Sequence, residues 1–213
     1  MEVRVYKKYD TEIKYLIDFP ENYDKSKKYP LMFYIHGFGF VGKDMDYLKE
    51  RCPLQRSRVP KDLPFILVVP QCPVNSWLFI SQTLQSFIRD ISKSDFCNSQ
   101  KVYLSGSSMG GYACWLLVQS MPDFFAGAVI CCGAGQYWAT VTKAFNNTPI
   151  MAVHGKQDTT VRPRESEIMA ERINESGGSV VLTLLDNGHD VWTDIFTDSK
   201  TYYWLDGKML NSH

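Results

Sequence analysis

The stretch Lys101-Val102-Tyr103-Leu104-Ser105-Gly106-Ser107-Ser108-Met109-Gly110-Gly111-Tyr112 decides how this chain is read. An apolar run, Val102 to Leu104, gives way to a glycine-rich turn, and a helix-length segment, Tyr112 to Ser120, follows at once. Strand, sharp turn and helix therefore succeed one another with Ser108 at the apex. Small neighbours are needed there, because the apex residue is forced into an unfavourable backbone conformation while strand and helix pack closely around it. Bent in this way, the hydroxyl projects beyond the strand end, and the helix N-terminus aims its free N–H groups at the same space.

Outward from this turn, continuous apolar runs recur at Leu31 to Ile35, Phe65 to Val69, Ala126 to Cys132, Ile150 to Val153 and Val180 to Leu185. Each suits a parallel strand buried on both faces. Helix-length segments separate them: Met45 to Arg56, Gln82 to Ser92, Arg164 to Ser176 and Trp192 to Leu205. Two alternating segments, Val3 to Tyr9 and Glu12 to Phe19, open the chain as a hairpin-like pair. The expected fold is α/β, a mostly parallel central sheet of about eight strands with helices on both faces. Residues 1–213 are read as a single domain without a large lid, and 133–148 as the one long irregular connection.

Composition narrows the class. Lys plus Arg and Asp plus Glu number 23 each, so no basic field exists to hold nucleic acid. The first residues lack a signal-peptide pattern and no apolar run reaches 18 residues, so a cytoplasmic protein without membrane association is expected. The six cysteines (52, 72, 97, 114, 131 and 132) show no C-x-x-C or zinc spacing and read as reduced, mostly buried thiols.

Gly106-x-Ser108-x-Gly110 resembles the nucleophile elbow of the α/β-hydrolases. A serine hydroxyl needs a base, and the base a third group to orient it; in that superfamily the acid and then the histidine follow the serine. Asp158, just past the strand-like Ile150 to Val153, and His189, just past Val180 to Leu185, meet that order. Asp186, Asp190 and Asp194 compete as acids but lie too near His189 in sequence to reach back to its ring. His154 precedes the acid and reads as structural, His213 is terminal, and His36 reads as a loop brace. A histidine base must be uncharged, so activity is expected to fall below about pH 6.

The oxyanion of acyl transfer needs two N–H donors. Met109, after the nucleophile, supplies one; Phe38, in His36-Gly37-Phe38-Gly39, supplies the other. Aromatic residues crowd the neighbouring loops: Phe38, Phe40, Trp77, Phe79, Tyr137, Trp138 and Trp192. Trp77 and Trp192, each beside a motif loop, are the expected substrate-binding residues.

Beyond the elbow, Pro30 to Gly37 resembles the third strand and oxyanion loop of small esterases. Pro70-Gln71-Cys72-Pro73 with Trp77, His154-Gly155-Lys156-Gln157-Asp158 and Gly188-His189-Asp190-Val191-Trp192 continue the likeness along nearly the whole chain. The series is similar to the bacterial "predicted peptidase" group of prolyl-oligopeptidase-like and phospholipase/carboxylesterase-like hydrolases. That resemblance implies an α/β-hydrolase fold and ester hydrolysis by Ser108, Asp158 and His189, with a small-molecule ester as substrate and no metal or organic cofactor. It leaves two alternatives: a serine peptidase acting on short peptides, and a non-catalytic hydrolase fold that binds a ligand. Dienelactone hydrolases share the fold but use cysteine where this chain has Ser108.

Overall fold

The computed structural model describes residues 1–135 and 143–210. Tyr137, Trp138 and His213 lie outside the described residues, as does much of the expected connection 133–148. The strands are β1 (Glu2–Lys8), β2 (Thr11–Asp18), β3 (Tyr29–Ile35), β4 (Ile66–Pro70), β5 (Cys97–Ser107), β6 (Gly127–Cys131), β7 (Ile150–Gly155) and β8 (Val180–Leu185). The helices are α1 (Met45–Arg51), α2 (Ser81–Ser92), α3 (Met109–Ser120), α4 (Arg164–Glu175), α5 (Trp192–Thr197) and α6 (Ser199–Asp206).

One sheet holds all eight strands in the order β1-β2-β4-β3-β5-β6-β7-β8. β2 runs antiparallel to both its neighbours, β1 and β4; from β4 to β8 every pairing is parallel. Alternation along β3 shows how the sheet divides the core. Leu31, Phe33 and Ile35 enter one buried cluster with residues of α2, α3 and α4, while Met32 and Tyr34 enter the other with residues of α1, α5 and α6. Two buried layers flank the sheet, which is why its central strands read as unbroken apolar runs.

Three boundaries differ most from the sequence expectation. β5 starts at Cys97 and runs to Ser107, well beyond Val102 to Leu104. Its polar ends were masked by Ser and Gln, yet Ser105 Oγ donates to the Phe33 carbonyl at 2.7 Å and so sits satisfied in the interior. α1 stops at Arg51 because Cys52 precedes Pro53, which cannot continue the helical bonding. The segment expected as one helix over 192–205 is two, because the Asp198 carboxylate accepts the Lys200 N–H and starts α6 anew.

The turn between β5 and α3 is tight and strained. Ser108 has φ 52° and ψ −120°, a region costly for any residue with a Cβ. Its N–H donates to the Cys131 carbonyl at 3.0 Å, and its carbonyl accepts the Tyr112 N–H at 3.0 Å. Gly110 lets α3 start directly against β3, since a Cβ there would overlap the Ile35 carbonyl oxygen. All six cysteines are buried and unpaired, and no helix among the described residues is long and apolar enough to cross a membrane.

Gly110→Ala is expected to lower unfolding free energy by about 3 kcal/mol or more, because only backbone can yield to the added methyl. Nothing lies within 4 Å of a Cβ built on Gly39, so Gly39→Ala is expected to stay within about 0.5 kcal/mol of wild type. Urea unfolding of both variants checks this; equal midpoints would contradict the close approach at Gly110.

Candidate active site

Three strand ends converge on Ser108. β5 carries the serine, β7 ends just before Asp158, and β8 ends just before His189. His189 Nε2 lies 2.9 Å from Ser108 Oγ, and His189 Nδ1 lies 2.7 Å from Asp158 Oδ2. A carboxylate can only accept, so Nδ1 carries the ring proton and Nε2 presents its lone pair to the serine hydroxyl. The other oxygen, Asp158 Oδ1, accepts the N–H groups of Thr160 (2.8 Å) and Val161 (2.9 Å). Burial pushes the Asp158 carboxyl upward, but the hydrogen bonds from His189, Val161 and Thr160 outweigh it and hold it below the usual carboxylate range.

The loops bearing acid and histidine are fastened to one another. Gln157 N–H donates to the Asn187 carbonyl at 3.0 Å and Lys156 N–H to that of Leu185 at 2.8 Å. Gly155 comes so close to Asn187 and Gly188 that a Cβ would overlap their carbonyl oxygens. The three competing acids are engaged elsewhere: Asp186 pairs with Lys156, Asp190 caps Thr193, and Asp194 accepts from Asn187.

Phe38 opens the 3-10 turn Phe38–Phe40, and Met109 opens α3. The first N–H groups of such turns have no acceptor within the turn, so both are free to donate outward. Over Ser108 lies a cleft of about 320 Å³ lined by Gly37, Phe38, Gly39, Phe40, Ser107, Ser108, Thr160, His189 and Trp192. Trp192 meets the His189 ring edge-on, with centroids 5.4 Å apart.

Trp77 requires correction. It is fully buried beneath the cleft, not on its wall, and its indole N–H donates to the His36 carbonyl at 2.9 Å. Adjacency to a motif loop misled the reading, because a 3-10 turn sends side chains two positions apart to opposite sides: Phe79 is 78% exposed. Phe79 lines a separate depression with Tyr9 and Thr11. Thr160, unmarked in the sequence, lines the cleft and holds the acid through its backbone.

His36 braces the loop that carries Phe38. Its Nε2 accepts the Cys72 N–H at 3.0 Å, so Nδ1 carries the proton and donates to the Gly37 carbonyl at 2.8 Å. Trp77 and Phe40 pack against the ring. Burial lowers its pKa from 6.5 to about 4.

For metal ligation the described residues offer one group, Cys132, Asp158 and His189, with ligand atoms within 4.8 Å of one another. Two of these already hydrogen-bond each other at 2.7 Å. Burial pushes the Cys132 thiol well up, so it stays protonated beside them.

Residues 78–204 match the family model described as phospholipase/carboxylesterase. The chain belongs to the phospholipase/carboxylesterase family. A thermostable esterase of known structure is 26% identical and superposes with a TM-score of 0.83, over 98% of this chain and 63% of that one. Esterase Est2 of Thermogutta terrifontis, at 16% identity and TM-score 0.72 over 97% and 90% of the two chains, shares the fold. Among curated proteins, dipeptidyl-peptidase 5 of Aspergillus oryzae and the probable dipeptidyl-peptidase 5 of Aspergillus flavus are each 30% identical over 119 residues. This family member covers only 16% of the length of either, and the match takes in 48% of its own chain. Its architecture is that of the α/β-hydrolases.

Because buried His36 is neutral in the fold, the unfolded chain binds a proton between pH 6.5 and about 4 that the folded chain refuses. Stability is then full above pH 6.5 and falls as pH drops to about 4, by on the order of 3 kcal/mol from this group. Urea unfolding at pH 7 and pH 4.5 is expected to show a smaller loss in His36→Gln than in wild type. Equal losses would contradict the assignment.

Proposed function

We propose that the chain is a serine hydrolase that cleaves carboxylic esters of small or medium size through an acyl-enzyme on Ser108. The observation that carries this reading is the unbroken hydrogen-bonded path from Ser108 Oγ through His189 to Asp158, at 2.9 and 2.7 Å. His189 Nε2 takes the hydroxyl proton as Ser108 Oγ attacks the ester carbonyl. Phe38 and Met109 donate their N–H groups to the oxyanion. As the tetrahedral adduct collapses, the leaving alcohol takes the proton from His189. Water, deprotonated by the same nitrogen, then attacks the acyl carbonyl and releases the acid and free Ser108. Asp158 stays ionised throughout, keeping the proton of neutral His189 on Nδ1 and stabilising the imidazolium.

Every proton in this cycle has a side-chain carrier, so the reading needs neither metal nor organic cofactor. The cleft volume and the ring of Trp192 suit a small or medium apolar acyl or aryl group. Residues 1–213 act as one domain on this reading, and the six buried thiols fit the reducing cytoplasm. The equal counts of basic and acidic residues accord with a small-molecule substrate in preference to nucleic acid or a membrane surface.

A peptidase of the same mechanism is the second reading, favoured by the 30% identity to the two dipeptidyl-peptidases. A panel of p-nitrophenyl acyl esters and aminoacyl p-nitroanilides separates the two. Ester turnover is expected to exceed anilide turnover, and anilide kcat/KM above that of every ester would favour the peptidase. Ser108→Ala is expected to lower kcat by roughly 10⁶-fold and Asp158→Asn by roughly 10⁴-fold. Undiminished turnover in Ser108→Ala would overturn both readings.

A further inference from the structure

His154, at the end of β7, takes no part in the cycle just described, yet it touches the acid. It is fully buried. Its Nδ1 lies 2.7 Å from Ser166 Oγ on α4. Its Nε2 lies 2.9 Å from the Val161 carbonyl oxygen and 3.2 Å from Asp158 Oδ2. A carbonyl only accepts, so Nε2 carries a proton, while Nδ1 is hydrogen-bonded to the Ser166 hydroxyl. His154 Nε2–H therefore donates to the Val161 carbonyl, and the same nitrogen stands 3.2 Å from the Asp158 carboxylate as a close electrostatic neighbour.

Bracing the loop requires no more than the bond to Val161. The additional approach is to Oδ2, the oxygen that accepts the His189 N–H, whereas Oδ1 is taken by Thr160 and Val161. Three N–H groups thus donate to one carboxylate, His154 Nε2–H adds a close electrostatic contact at Oδ2, and together they restrain its rotation about the Cβ–Cγ bond. Ser166 in turn fixes the orientation of the His154 ring from α4.

We propose that His154, held by Ser166, is a positioning residue for Asp158 and keeps Oδ2 aimed at His189. This rests on the catalytic reading of Ser108, His189 and Asp158 given above. His154 lies outside the cleft wall, so its loss should act on kcat and spare KM.

The test compares His154→Phe, which keeps a ring but no donor, with His154→Gln, whose amide N–H can reach the place of Nε2–H. Ser166→Ala provides a milder change on another element. His154→Phe is expected to lower kcat about tenfold with KM within about twofold. His154→Gln is expected to recover to within about threefold of wild type, and Ser166→Ala to lose in the same direction but less. A second readout is the downfield proton resonance of the His189 Nδ1–H···Asp158 bond, which should move in His154→Phe and return in His154→Gln. Unchanged kcat and resonance in a folded His154→Phe would overturn the proposal, as would equal losses in the Phe and Gln variants. If His154→Phe does not fold, wild-type kcat and resonance in both Ser166→Ala and His154→Gln would overturn it, and a loss in Ser166→Ala alone would support it. A wild-type protein that turns over no ester would instead refute the catalytic reading, and the resonance would still decide the role of His154.

Discussion

At Ser108 the backbone is held at φ 52° by neighbours on both sides. β6 grips the serine through the Cys131 carbonyl, and α3 starts against the carbonyl end of β3 with only Gly110 between them. A strained residue persists only where its surroundings over-determine it, and here two strands and a helix do so. The same constraint puts the hydroxyl beyond the sheet and the Met109 N–H beside it. Without the close approach at Gly110 the helix would shift, and serine and donor would part.

Around that fixed turn, residues that do not react hold the ones proposed to do so. His36, neutral and buried, ties the Phe38 loop to Cys72, while Trp77 holds it from below. Gly155 and the backbone of Gln157 lock the acid loop to the histidine loop. Asp158 is held by the N–H groups of Thr160, Val161 and His189, with His154 Nε2 3.2 Å from its Oδ2. Rigid support of this kind is what keeps a hydrogen-bonded chain short enough to pass a proton without reorganisation.

Much of this was legible in the sequence, for physical reasons. Parallel strands buried on both faces must be apolar throughout, so β3, β4, β6 and β7 stand out as runs. Strand order emerges from crossovers that place strand ends on one side, which is why Ser108, Asp158 and His189 could be picked out together. Other features depend on contacts that no local pattern encodes. Near the C-terminal end of β5 a polar residue is tolerated in the interior because Ser105 finds a carbonyl inside the sheet. The break between α5 and α6 depends on the Asp198 cap, which resembles any surface aspartate until the N–H it accepts is seen. Trp77 and Phe79 differ by two positions and point oppositely, so proximity to a motif loop, which found Trp192 on the cleft wall, failed for Trp77. His154 and Asp158 are four residues apart, but only the turn between them brings ring and carboxylate into contact.

The central claim is that Ser108 is a nucleophile activated by His189. Its most direct measurement is the site and rate of covalent modification by a fluorophosphonate, read by peptide mass spectrometry. The account predicts a single adduct on Ser108, formed rapidly in wild type and slowed at least a hundredfold in His189→Gln. Labelling of another residue, or equal rates in the two proteins, would contradict it.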